Sequence, residues 1–223
     1  MINYIKTSTP DIGIEEQSKK IASLLTEQKR VLWLICGGSN LPIAVEVMNL
    51  IRQNVSLLDL EKLTIMQTDE RYGPVGHTDS NWQQLLDLNF NMTGLKVHPI
   101  LRNHSLVKTV EEFSEEINTN FSKADVILAQ FGMGADGHIA GILPHSLGVS
   151  CNTPACGYEG EPFVRISLSF SSLEKIHIAF AYVFDESKKK AVDDLVSKDL
   201  SFDDEPAQIL KKIPEVHFYS DLV

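Results

Sequence analysis

One alternation limits what this chain can become. Short runs of aliphatic and β-branched residues at 31–36, 63–68, 126–131, 163–168, 176–183 and 216–219 are separated by segments with helical spacing of their apolar positions, at 15–28, 42–53, 80–88, 106–121, 186–196 and 206–213. Several of the short runs are apolar throughout, as strands covered on both faces must be. Strand and helix patterns in turn predict an α/β fold: a mostly parallel sheet with helices on both of its faces. Pro42 and Pro206 open two of the helical segments, where a missing N–H costs little. With 223 residues and 43% hydrophobic content, residues 1–223 are expected to form a single domain with a full core.

Charge removes several classes of partner. The chain has 20 Lys+Arg against 30 Asp+Glu, a formal charge of −10, and no basic run strong enough to overrule it locally, so neither nucleic acid nor a membrane surface is an expected partner. The longest apolar stretches are far too short to span a bilayer, and no basic segment followed by an apolar run opens the chain. A cytoplasmic location is expected. Three cysteines cannot all pair with one another, and Cys151 and Cys156 stand without further metal-ligand residues, so a plain pair of thiols is expected there. The Gly- and Pro-bearing stretch 147–161 is read as a loop over a site, and the acidic clusters 111–116 and 203–205 as solvated faces.

In doubly wound sheets, ligands gather beyond the carboxyl ends of the strands, and three strand ends here are unusual. After the first run comes Cys36-Gly37-Gly38-Ser39-Asn40-Leu41-Pro42, leading into a helix. Its glycines allow a tight turn with N–H groups close to an anion, and Ser39 and Asn40 can add side-chain donors. The glycine spacing fits neither a nucleotide P-loop nor a dinucleotide fingerprint, and an ordinary strand-to-helix turn explains the segment equally well. After the second run, Asp69-Glu70-Arg71 is followed by a Pro/Gly loop with His77, then Ser80-Asn81. Folding asks for no such gathering of ionisable groups; an Asp69–Arg71 ion pair is the bland explanation, and Ser80 can simply cap the next helix. After the third run, Gly132-Met133-Gly134-Ala135-Asp136-Gly137-His138 puts an aspartate and a histidine on a tight glycine loop, which suits proton exchange near neutral pH.

Together these segments resemble the 6-phosphogluconolactonase family and its relative, glucosamine-6-phosphate deaminase. Similarity continues through Arg165-Ile166-Ser167-Leu168 and the region 188–192, so it spans nearly the whole chain. The resemblance implies one Rossmann-like, three-layer α/β/α domain acting on a phosphorylated sugar, without metal or organic cofactor, as a monomer or small homo-oligomer. The deaminase pattern has a catalytic glutamate where this chain has Leu143, and tends to have tyrosine where this chain has Arg71. Both differences favour lactone hydrolysis, while a deaminase-type enzyme and a non-catalytic sugar-phosphate sensor remain the alternatives.

The resemblance implies roles as well. His138 would be the general base for water attacking 6-phospho-D-glucono-1,5-lactone, with Asp136 or Asp69 orienting it or binding sugar hydroxyls. Arg71 or loop N–H groups near Gly137 would meet the oxyanion. The substrate and its phosphate would rest among Gly37, Gly38, Ser39, Asn40, His77, Asn81, Gly134, Gly137, Arg165 and Lys188. Two departures bear on substrate identity. Asn40 and Leu41 fill a gap before Pro42 where relatives have one residue, and the family's Asp-Gly-His-Thr-Ala-Ser-Leu-Phe-Pro-Gly reads here as Asp136-Gly137-His138-Ile139-Ala140-Gly141-Ile142-Leu143-Pro144-His145, losing two hydroxyls beside the base. Only five arginines exist, and the placement of Arg71 and Arg165 predicts a compact positive pocket in an acidic shell.

Overall fold

Strands that are apolar on both faces need cover on both faces, and the computed structural model, which describes residues 1–223, supplies it. The large sheet holds β1 (Ile2–Lys6), β2 (Val31–Ile35), β3 (Leu63–Gln67), β5 (Lys96–His98), β6 (Val126–Phe131), β9 (Ile178–Tyr182) and β10 (Glu215–Ser220). Its order is β1-β10-β9-β6-β2-β3-β5, and every neighbouring pair is parallel. All five residues of β2 and of β9 are buried. Helices α1 (Asp11–Thr26) and α2 (Leu41–Asn54) cover one face, with Ile21, Leu25, Val47 and Ile51 packed on Val31, Trp33 and Ile65. On the other face α5 (Leu106–Lys123) and α7 (Lys189–Ser197) bring Phe113, Ile117, Val192 and Leu195 against Leu32, Leu34 and Ala129.

From β2 the chain runs outward through β3 to β5; from β6 it runs the other way, through β9 to β10. The direction therefore reverses between the neighbours β2 and β6, and the crevice beyond their carboxyl ends is where such a sheet offers a binding site.

A second sheet was not foreseen. Asp69–Arg71 forms β4, which pairs antiparallel with β8 (Phe163–Leu168), and β8 pairs in turn with β7 (Ala155–Gly160). One run of chain thus leaves the large sheet at Gln67, passes Thr68 and enters the small sheet at Asp69. The segment 163–168 is a strand as expected, but of this small sheet. The stretch expected as a loop over 147–161 is a loop only to Pro154, because Ala155–Gly160 finds a full ladder on β8. Segment 206–213 is a 3-10 helix over Pro206–Lys212, closed by i to i+3 bonds such as Ile213 N–H to Leu210 O. Helix 186–196 divides into a 3-10 turn at Glu186–Lys188 and α7. Short helices α3 (Leu57–Leu60), α4 (Asn81–Asp87) and α6 (Phe170–Leu173) complete the fold. No helix is long and apolar enough to cross a membrane.

Candidate active site

The loop after β2 turns into α2 through Gly38–Asn40, with Gly38 in the left-handed region at φ 69°. Its neighbour Gly37 must also lack a side chain, since an added Cβ would lie 2.1 Å from Asn81 Oδ1. The buried Asn40 amide donates to the Tyr182 carbonyl, while Gln130 Nε2 donates to the Asn40 carbonyl at 2.8 Å. Gln17 continues this polar chain, donating to Gln130 and accepting from the Tyr182 hydroxyl. The turn is therefore tied to β6 and β9 from below. Asn40, expected as an anion donor, commits one amide hydrogen to the scaffold, while Gly38 and Ser39 stand exposed at the rim.

Glu70 is the buried centre of the second segment. Its carboxylate accepts from the N–H groups of Arg71 (2.7 Å), Asn81 (2.6 Å) and Trp82 (3.0 Å), from the Ser80 hydroxyl (2.9 Å) and from Gln67 Nε2 (3.2 Å). Burial pushes this carboxyl up, and those donors work in the opposite direction. Ser80 also caps α4, accepting from Gln83 N–H. The staple draws Asn81 beside Asp69, whose backbone carbonyl and carboxylate both accept from its amide. Asp69 makes no ion pair with Arg71; its Oδ1 accepts from Thr68 Oγ1. Arg71 instead donates to the Asp79 carbonyl at 3.0 Å, and His77 Nε2 lies 3.0 Å from the Arg71 carbonyl. His77 thus braces the loop and does not line the cavity.

In the third segment, Gly137 N–H bonds to Gly134 O and Gly134 N–H to His138 O, both at 3.0 Å. Gly137 has φ 79°, and a Cβ on Gly134 would fall 2.1 Å from His138 Nδ1. His138 Nδ1 lies 2.7 Å from Asp136 Oδ1. Because an ionised carboxylate only accepts, Nδ1 carries the proton in the neutral ring, and Nε2 offers its lone pair. Burial pushes the Asp136 carboxyl up, but the hydrogen bond and charge of His138 outweigh it and hold the group at about 2. The small sheet pins the chain just past His138: Ser167 Oγ donates to Ala140 O at 2.5 Å, and Tyr158 OH donates to Gly141 O while accepting from Leu143 N–H. Gly141 has φ 74°, and a Cβ there would strike that of Asp69 at 2.7 Å, which accounts for a missing hydroxyl. His145 holds a left-handed φ of 56° where the resembled pattern has glycine, with Nδ1 3.0 Å from Asp203.

These segments enclose a cavity of about 240 Å3 lined by Gly37, Gly38, Ser39, Asn40, Asp69, Arg71, Asn81, Gly134, His138, Arg165 and Lys188. Arg71 and Arg165 are direct cross-strand partners, and both guanidinium carbons lie over the Phe163 ring, at 4.8 and 5.9 Å. Neither takes part in an ion pair, although like charges directly opposite one another destabilise a sheet. Of the three lysines, Lys189 and Lys190 pair with Asp193 and Asp194, and only Lys188 reaches the cavity. Burial lowers its pKa, against the pull of Asp185.

A family model described as glucosamine-6-phosphate isomerases/6-phosphogluconolactonase matches residues 13–218, all of these segments included. The chain belongs to this family. It is 26% identical over 179 residues to 6-phosphogluconolactonase of Thermotoga maritima, covering 78% of each chain. Against that of Borreliella burgdorferi the figures are 27% over 195 residues, covering 82% of this chain and 80% of the relative. The crystal structure of the Thermotoga maritima 6-phosphogluconolactonase shares the fold with TM-score 0.79 at 20% identity, covering 99% of this chain and 98% of that one. A 6-phosphogluconolactonase from Shewanella baltica gives 0.79 at 19%, covering 99% and 97%.

Some of the cavity lining was not read from sequence. Cys36, Gly132, Met133, Ala140 and Gly141 also line the cavity. Cys36 stays a thiol, pushed up to about 12 by burial and by the charge of Asp69. A Cβ on Gly132 would lie 2.6 Å from Asn40 Nδ2, so this glycine serves the scaffold bond of Asn40. The available signal was the unbroken glycine spacing itself.

Proposed function

We propose that this chain hydrolyses 6-phospho-D-glucono-1,5-lactone to 6-phosphogluconate in pentose phosphate metabolism, with His138 as general base. The supporting observation is the meeting, in one cavity, of an Asp136-oriented imidazole with three cations, Arg71, Arg165 and Lys188, that enter no ion pair. The names of the relatives agree with lactone hydrolysis.

His138 Nε2 takes a proton from water as its oxygen bonds to the lactone C1, and the carbonyl becomes a tetrahedral oxyanion. When the ring C–O bond breaks, the imidazolium returns that proton to the departing ring oxygen. The N–H groups of Gly137 and His138 already donate to Gly134 O and Asp136 Oδ1, which leaves Arg71 as the favoured oxyanion donor. Phosphate rests on Gly38, Ser39, Arg165 and Lys188 near the α2 N-terminus, the guanidinium giving a two-pronged grip and the ammonium a point charge. Asp69 and Asn81 face sugar hydroxyls. The deaminase alternative lacks its glutamate: Leu143 lies outside the cavity lining, its N–H held by Tyr158.

Acid release from freshly prepared 6-phosphogluconolactone, compared with the unphosphorylated lactone, tests this reading. Turnover is expected to favour the phosphorylated lactone and to fall roughly 10²- to 10⁴-fold in His138→Gln. Undiminished turnover in a folded His138→Gln protein overturns the mechanism, and ammonia release from glucosamine 6-phosphate would put deamination in its place.

A further inference from the structure

At the opposite edge of the large sheet, where its strands begin, lies a second cavity of about 550 Å3. Basic residues stand at the starts of three adjacent strands: Arg30 before β2, Lys62 before β3 and Lys96 as the first residue of β5. Register sets Arg30 beside Lys62, with Val31 opposite Leu63, and puts Lys96 opposite Thr64, two residues along the strand from Lys62. Lys123 joins them from the end of α5, and no carboxylate lines the space. Cations help the C-terminus of a helix, which accounts for Lys123. Ion pairs with Asp125 and Asp59 account for Arg30 and Lys62, but no such partner accounts for Lys96, although like-charge neighbours across strands cost stability.

Their partners separate them further. Arg30 engages Asp125 through two nitrogens at 3.1 and 2.6 Å, so its fork is occupied, and Lys62 pairs with Asp59 at 2.7 Å. His98 lies 3.6 Å from Glu116. Lys96 and Lys123 are exposed and enter no ion pair. The cavity therefore presents two uncompensated ammonium groups, with the Thr64 and Thr119 hydroxyls in the same wall. Carboxylate recognition favours a free guanidinium fork, whereas lysines act as point charges suited to a tetrahedral anion.

We propose that this cavity binds a small phosphorylated anion at a site separate from the catalytic pocket. The anion sits on the strand side, between Lys96 and Lys123, away from the exposed carbonyls that end α5. Calorimetric titration of pyrophosphate into full-length protein carrying Arg71→Gln, Arg165→Gln and Lys188→Gln, which removes the three cations of the catalytic pocket, tests it. The expected result is one binding event tighter than about 1 mM, weakened about tenfold or more when Lys96→Gln and Lys123→Gln are added, and weakened by salt. Absence of binding, binding weaker than about 1 mM, or binding indifferent to the two lysine substitutions overturns the proposal. Lactone turnover plays no part in this readout, so the fates of the two readings are separate.

Discussion

Asp136 and His138 divide one task between them. In the proposed mechanism the carboxylate fixes which ring nitrogen carries the proton, and the ring offers the other to water. Its folded value of about 2 lies below the ordinary 3.8, so its contribution to stability is complete above pH 3.8 and disappears as the pH falls through 2. Asp136 thus stays charged above that range. Asp136→Asn should leave KM nearly unchanged and lower kcat roughly a hundredfold, less than His138→Gln; steady-state kinetics provides the check. The sequence made both residues legible because they sit two apart in one glycine loop. Asn40 and His77 were harder: the partner that claims the Asn40 amide, Tyr182, is 142 residues away, and His77 answers to a backbone carbonyl.

Glu70 works at the level of elements, joining β4 to the first turn of α4 across a nine-residue loop. Two of its donors are N–H groups that a helix start leaves free, so its charge also meets the positive end of α4. Glu70→Gln would turn an NH2 group toward those donors. Thermal unfolding should show a loss of about 2 kcal/mol, and kcat/KM should fall as Asp69 and Arg71 lose their common anchor. The fully buried strands were legible because a doubly covered strand must be apolar along its whole length. The edge strands β1 and β5 hid behind mixed burial. Strand β4 hid more completely: three polar residues become a strand only through pairing with β8, a partner nearly a hundred positions distant, and no local pattern carries that information.

For the whole molecule, the acidic total and the positive cavity are two fields of different range. Raising salt from about 0.01 to 0.15 M shortens the screening length from about 30 to about 8 Å, so repulsion from the distant acidic shell disappears before attraction at contact does. KM for the phosphorylated lactone is therefore expected to fall over that interval, and KM for the unphosphorylated lactone to stay level; a rise for the former in parallel assays would show that the shell contributes nothing. The site also lies where two sheets meet. Arg71 and Arg165 belong to the small sheet, whereas Gly37, Gly38 and His138 follow strands of the large one. In the proposed mechanism the oxyanion donor and half of the phosphate grip come from the small sheet while the base and the rest of the grip follow the large one, so a slip of one sheet against the other would spoil hydrolysis and substrate hold together, and the seam itself must be kept.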